Sequence, residues 1–229
     1  MGYRPLPKED NIESSLIWYK NGDVDSMSHW VDSLTEFMKP YTDEATKERK
    51  GTKYVVCSDT TELKEGEECQ FTDMWLEGNC TSAQSWGYAS ESPCIILKMN
   101  KMFGWVPEPY ETIAELPEDM PESLKTHISD QVAASSNVMP KRIWVSCVGE
   151  NPSDEEYLGD LKYSPWQGFP SYYFPFKNTP GYTAPVVAVE FQNTKPNVLI
   201  NVECRAWAKN IKYDRGNRFG LVSFQLIID

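Results

Sequence analysis

The sequence predicts a mainly β chain, an antiparallel β-sandwich with helical insertions, and three observations carry that prediction. Period-two alternation of apolar and polar residues recurs through the last third. Proline and glycine turns separate the alternating runs. Six cysteines are spread over 229 residues without metal-binding spacing. A chain of this length can bury one sizeable core, and no linker, repeat or low-complexity tract divides it.

The alternation is clearest between Asn197 and Lys209. Val198, Ile200, Val202, Cys204, Ala206 and Ala208 share one face, while Asn201, Glu203, Arg205 and Lys209 share the other with Leu199 and Trp207. Ile143, Val145 and Cys147 alternate with Arg142, Trp144 and Ser146. Val187, Val189 and Phe191 alternate in the same way, and Phe219 to Ile228 closes the chain as another strand. Period two implies one buried and one wet face for each strand. Cys147 and Cys204 lie on the apolar faces of their strands, as an inter-sheet disulfide of the immunoglobulin type requires; two buried free thiols are the alternative.

The first 25 residues show no clear period. From Ser26 to Tyr41, Trp30, Val31, Leu34, Phe37 and Met38 mark one face of a helix, with Ser26 or Ser28 as cap and Lys39-Pro40 at its end. Asp43 to Lys53 is expected as a charged loop. Tyr54 to Asn100 is expected as short strands and loops, with Cys94 to Met99 the clearest strand. Pro121 to Ile128 is expected as a short helix with Pro121 in its first turn.

Composition excludes several functions. With 34 acidic against 22 basic residues the formal net charge is −12, which repels nucleic acid and anionic headgroups. No stretch approaches the roughly 20 apolar residues of a membrane helix, and no apolar signal region follows Met1. An extracellular chain would need a targeting segment upstream. An even cysteine count with no C-x-x-C pair leans towards disulfides, and Asn79-Cys80-Thr81 is the one glycosylation sequon. Together they favour the oxidising secretory route. Only His29 and His127 could serve a histidine-based active site, and no G-x-S-x-G elbow or phosphate-cradling loop exists. Neither zinc nor any cofactor is expected. Asp154-Glu155-Glu156 lacks calcium-loop spacing and is expected as a solvated turn. Paired carboxylates among many aromatics would suit a carbohydrate-active enzyme, the minority reading.

One segment is unusually aromatic. Tyr172, Tyr173, Phe174 and Phe176 place four rings in five positions between Pro170 and Pro175. A strand can aim at most half of them into one core, and the prolines keep them off a central strand. The rest either face a partner or pack beneath helical insertions.

Five segments in order resemble the β-subunits of the sodium/potassium-transporting ATPase and its proton/potassium relatives. They are Trp30 to Tyr41; Cys69-Gln70-Phe71 through Trp75 to Cys80; Pro93 to Lys101 running into Gly104-Trp105-Val106-Pro107; Tyr172 to Phe176 followed by Pro185 to Phe191; and Glu203 to Ile211 ending in Arg218-Phe219-Gly220. Trp105 stands where Phe is commoner, and one sequon stands where several glycans are usual. The amino-terminal stretch and Ile113 to Val138 look most like the invertebrate branch.

The resemblance implies a non-catalytic ectodomain of a single-pass, type II plasma-membrane protein, on the extracellular side. It implies an immunoglobulin-like sandwich over residues 26–229, preceded by a juxtamembrane extended segment over 1–25. Cysteines pair consecutively in that family, which implies Cys57–Cys69, Cys80–Cys94 and Cys147–Cys204. The implied partner is the catalytic α-subunit of a P-type cation pump, whose assembly, export and potassium handling the subunit supports. Tyr172, Tyr173, Phe174 and Phe176 are then expected at the pump contact, and Asn79 is expected to carry a glycan. Adhesion partners on neighbouring cells are a further implication, and an adhesion module is the alternative function.

Overall fold

The computed structural model describes residues 1–7, 14–42 and 51–229. Most of the charged loop expected over Asp43 to Lys53 lies outside the described residues. Eleven strands are described: Gly2–Arg4 (β1), Leu16–Tyr19 (β2), Lys53–Val55 (β3), Glu67–Cys69 (β4), Cys94–Lys98 (β5), Arg142–Gly149 (β6), Asp160–Ser164 (β7), Gly168–Pro170 (β8), Val186–Gln192 (β9), Ile200–Trp207 (β10) and Leu221–Ile228 (β11). Among the described residues the α-helices are Val24–Met38 (α1), Glu122–Ala134 (α2) and Pro152–Leu158 (α3).

Two sheets face each other. One has the order β1-β5-β9-β7 and the other β2-β11-β10-β6-β8, with β3 and β4 forming a separate ribbon. Neighbours in the two large sheets run antiparallel except β2, which pairs parallel to β11; the β3–β4 ribbon is also parallel. The alternation that predicted a sandwich is visible in β10, where Ile200, Val202, Cys204 and Ala206 are buried and Asn201, Glu203 and Arg205 are half-buried. Between the sheets, Phe224 of β11 packs on Tyr3 of β1 and Phe191 of β9, with ring centroids 5.1 and 6.0 Å apart. Each such ring removes about 150–250 Å² from water, so these contacts dominate the core.

Two short strands among the described residues before α1 are woven into the sandwich. β1 adds to the edge of one sheet through Tyr3↔Leu97, and β2 to the edge of the other through Ile17↔Leu226. Segments of three or four residues are too short for periodicity to register. The start of α1 also differs from expectation. Asp23 caps it, its carboxylate accepting from the backbone of Asp25 and Ser26 at 3.1 and 3.2 Å. The buried stripe is Met27, Trp30, Leu34 and Met38, and Trp30 donates through Nε1 to the Trp18 carbonyl at 2.9 Å.

Three further expectations need correction. The outer face of the β6–β10 pair is not wet. Trp144, Ser146 and Trp207 are buried there, and the two indoles pack with Tyr110, Met120, Leu124, Ile128 and Met139 into a second apolar cluster built on α2. The helix expected over Pro121 to Ile128 continues to Ala134, long enough to roof that face. The bridge between Cys147 and Cys204 does not join the two sheets either. The two residues stand directly opposite on neighbouring strands of one sheet, 4.0 Å apart at Cα. Cys147 donates its N–H to the Tyr163 hydroxyl at 2.9 Å, so the pair is a non-hydrogen-bonded one, where strands approach most closely. Finally, Asp154-Glu155-Glu156 lies in α3. Asn151 caps that helix, and the buried Asp154 carboxylate accepts from the Asn201 backbone N–H at 3.1 Å, tying α3 to β10.

Candidate functional site

The aromatic segment follows the edge strand β8. Gly168 lets that strand approach β6 closely, since a Cβ there would lie 2.6 Å from the Ile143 carbonyl oxygen. Ser171 then donates its N–H to the Lys141 carbonyl at 2.9 Å and opens a single 3-10 turn, Ser171–Tyr173. The turn rotates successive rings in different directions, which separates the four residues predicted as one contact.

Tyr173 points inward and is only 3% exposed. Its hydroxyl donates to the Gln70 carbonyl at 2.5 Å and its ring packs against Phe71 at 6.0 Å. Burial raises its hydroxyl pKa far above the ordinary value. This residue belongs to the core. Tyr172 is half-buried, its hydroxyl pKa raised by burial and opposed by the nearby Arg142 guanidinium. Phe174 and Phe176 are also half-buried. Phe174 meets Trp105 edge-on at 5.7 Å, and Phe176 packs on Tyr182 at 5.0 Å beneath the Lys101 ammonium, 5.3 Å from its ring centre.

The structure adds residues that sequence reasoning did not single out. Phe103 bridges to Phe176 through the backbone, Gly104 donates to the Phe176 carbonyl at 2.9 Å, and the Phe103 side chain is 77% exposed. Met102 and Val106 flank it and are exposed too. Nothing in the local sequence distinguishes an exposed Phe103 from a buried one. The available signal was charge: neither residues 93–107 nor residues 161–189 contain an aspartate or glutamate, although the chain has 34. Segments that contribute no carboxylate of their own can be covered by another protein without desolvating one, and charge depletion marks interface centres.

The rim is fixed from behind by the β3–β4 ribbon. The Cys57–Cys69 bridge clips its two strands together. The Tyr54 hydroxyl donates to the Gly181 carbonyl at 2.6 Å, the Thr52 hydroxyl to the Pro180 carbonyl at 3.0 Å, and the Thr179 hydroxyl to the Glu68 carboxylate. Between ribbon and rim lies an open cleft of about 470 Å³, with Tyr172, Pro175, Lys177 and Tyr182 on one side and Glu65 to Cys69 on the other.

The remaining cysteines are joined as Cys80–Cys94 and Cys147–Cys204. Asn79, the sequon residue, is half-buried in a turn against β9, where its Nδ2 donates to Glu190 Oε1 at 2.7 Å. The two histidines lie apart. The His29 ring bonds the Leu6 carbonyl at 2.9 Å, and His127 sits on α2 with its ring edge-on to Trp144 at 6.1 Å. Burial, helped by Arg142, lowers the His127 pKa below its ordinary value. Among the described residues no group of three His, Cys, Asp or Glu side chains could hold a metal ion, and no helix is long and apolar enough to cross a membrane.

Comparison with known proteins gives one consistent result. The family model described as the sodium/potassium ATPase beta chain matches residues 1–224. The chain is 43% identical over 229 residues to sodium/potassium-transporting ATPase subunit beta-2 of Drosophila melanogaster, covering 100% of this chain and 70% of that protein. It is 36% identical to subunit beta-1 of the same organism, again covering 100% and 70%. With the probable subunit beta-3 of Caenorhabditis briggsae it shares 30% identity, covering 100% of this chain and 65% of that one.

Proposed function

The chain belongs to the sodium/potassium ATPase beta chain family, and from that premise we propose how its surface serves the pump. As a β-subunit it is a non-catalytic part of the transporter, and the adhesion-module and carbohydrate-enzyme alternatives are not favoured. The proposed role is to assemble with the catalytic α-subunit on the extracellular side of the plasma membrane. There it supports export and stability of the α-subunit and modulates its potassium handling. The parent is proposed to be a single-pass type II protein, with residues 1–25 leading from the membrane and entering the sandwich through β1 and β2.

The observation that supports this reading is the aromatic rim, with Phe103 exposed beside half-buried Tyr172, Phe174 and Phe176 on segments that contain no aspartate or glutamate. Rings held on a braced scaffold lose little entropy on docking, which is what makes aromatic residues effective binding anchors. Contact through Tyr172, Phe174, Phe176 and Phe103 is proposed; Tyr173 acts by fixing the turn. The test is co-purification of the α-subunit with full-length protein. Phe103→Ala and Tyr172→Ala should each reduce recovery several-fold, since a central aromatic anchor is worth about 2 kcal/mol, while the domain's melting temperature stays unchanged. Full recovery of the α-subunit with both residues replaced would refute the contact.

A further inference from the structure

We propose that Asn79 accepts an oligosaccharide only while the domain is incompletely folded, and that Glu190 withdraws the acceptor when folding is complete. The inference rests on the secretory reading of the chain.

Oligosaccharide transfer makes a bond from the asparagine Nδ2 to the anomeric carbon of a lipid-linked oligosaccharide diphosphate. The bond from that carbon to phosphate breaks, the lipid diphosphate leaves, and one Nδ2 proton passes to a base of the transferase. The reacting atom is therefore Nδ2 itself. In the folded domain that atom donates to Glu190 Oε1 at 2.7 Å. Glu190 is 3% exposed, and the same oxygen takes the Gln192 side-chain amide at 2.7 Å. A hydrogen bond to a buried carboxylate is among the stronger ones a side-chain amide can make.

The turn around Asn79 is closed on both sides. Cys80, the next residue, is bridged to Cys94, and Cys94 stands directly opposite Glu190 in the β5–β9 register. The Thr81 carbonyl accepts the backbone N–H groups of Gln84 and Trp86, which begins a 3-10 stretch at the sequon's third residue. Gly78 has φ of +64°, and a Cβ there would lie 2.7 Å from Glu190 Oε2. The sequon cannot extend into an enzyme's acceptor site without breaking this set together.

The two constraints form at different times. Cys94 follows Cys80 by 14 residues, whereas Glu190 follows Asn79 by 111. At about 5–20 residues per second, Glu190 is made roughly 6–22 seconds after Asn79. The disulfide can thus form while the amide is still unheld. A sugar attached early is compatible with the finished fold. The substituted amide keeps one N–H for Glu190, and an open cleft of about 260 Å³ beside Gly78 and Lys162 gives the glycan an exit.

The test uses the full chain made without glycan and an isolated oligosaccharyltransferase with its lipid-linked donor. The folded, disulfide-intact chain should be modified at least about tenfold more slowly than the reduced, unfolded chain. Glu190→Ala, with its three disulfides and melting temperature intact, should recover much of that difference, and Glu190→Gln, which keeps the acceptor oxygen, should not. Equal rates for folded and unfolded wild type would overturn the proposal, as would a folded Glu190→Ala chain as slow as wild type. Should Glu190→Ala not fold, hydrogen exchange of the Asn79 side-chain amide in the wild type decides. It should be about tenfold slower than that of the exposed Asn137, and equal exchange would overturn the clamp. Production of a Cys94→Ser chain in secretory cells tests the underlying route separately. A glycan on it supports that route, and none on it refutes the secretory reading while leaving the purified assay to judge the clamp.

Discussion

The centre of the sandwich and its aromatic rim are held by different means. In the centre, β5, β9, β10 and β6 are joined by long ladders and bury Ile95, Val189, Val202 and Val145 completely. The rim around Tyr172 to Tyr182 has little ladder of its own. It is tied to the ribbon by hydroxyl donors from Tyr54, Thr52 and Thr179, and the Cys57–Cys69 bridge holds the ribbon itself together. The difference teaches that a surface offered to a partner can be rigid without being part of the cooperative core. Its order comes from a few local ties that can be cut individually.

The largest expected effect separates the two regions through their disulfides. Removing Cys147–Cys204 frees a loop of 57 residues and should cost about 4 kcal/mol in the chain-entropy account, seen as a lower global melting temperature. Removing Cys57–Cys69, which spans 12 residues, costs about 3 kcal/mol at most by the same relation. Its main effect should be faster amide exchange in the ribbon and over residues 171–182, with a smaller global shift. Equal shifts in global melting would show that rim and centre unfold together and would break the comparison.

A smaller effect sharpens it. Tyr173→Phe deletes the donor to the Gln70 carbonyl at the junction of the regions and should cost about 1 kcal/mol. Binding of the α-subunit should weaken with it, because the turn that aims Tyr172 and Phe174 loosens. Unchanged denaturant midpoints would place Tyr173 outside the core.

The smallest effect concerns pH. Burial lowers the His127 pKa in the folded state, so the native domain binds this proton less readily than the unfolded chain. The contribution to stability is complete above the unfolded value of about 6.5 and declines as pH falls below it. Stability measured between pH 7 and 5 should decline less steeply in His127→Gln than in wild type. Parallel curves would assign the acid sensitivity elsewhere.

Much of the fold was legible because period two is a strong signal in eight-residue strands. β10 shows it directly, and α1 shows the helical equivalent in Trp30, Leu34 and Met38. What failed were inferences about what covers a face. Alternation identified Trp144 and Trp207 as opposite to Cys147 and Cys204, but it cannot reveal that α2 folds back over them. The site was legible as a segment and not as a surface. Four adjacent aromatics were visible, yet the turn at Ser171 that sends Tyr173 inward depends on a hydrogen bond to Lys141, 30 residues away. Phe103 joined the rim only through a backbone bridge to Phe176, a pairing that no local pattern announces. Asp23 was passed over as a cap because the apolar period becomes clear only at Trp30.

The roof that α2 makes over the second sheet bears on how this domain can be re-engineered. Residues 99–141 leave the first sheet after β5 and enter the second at β6, so the second apolar cluster is built largely by this one excursion. Trp144 and Trp207 form the floor beneath it, with Arg205 stacked on the Trp207 ring at 3.6 Å and paired to Asp119 at 2.6 Å. A miniaturised domain would therefore have to recolour that floor with polar side chains. Grafting the excursion onto another sandwich would require carrying both indoles and the arginine with it.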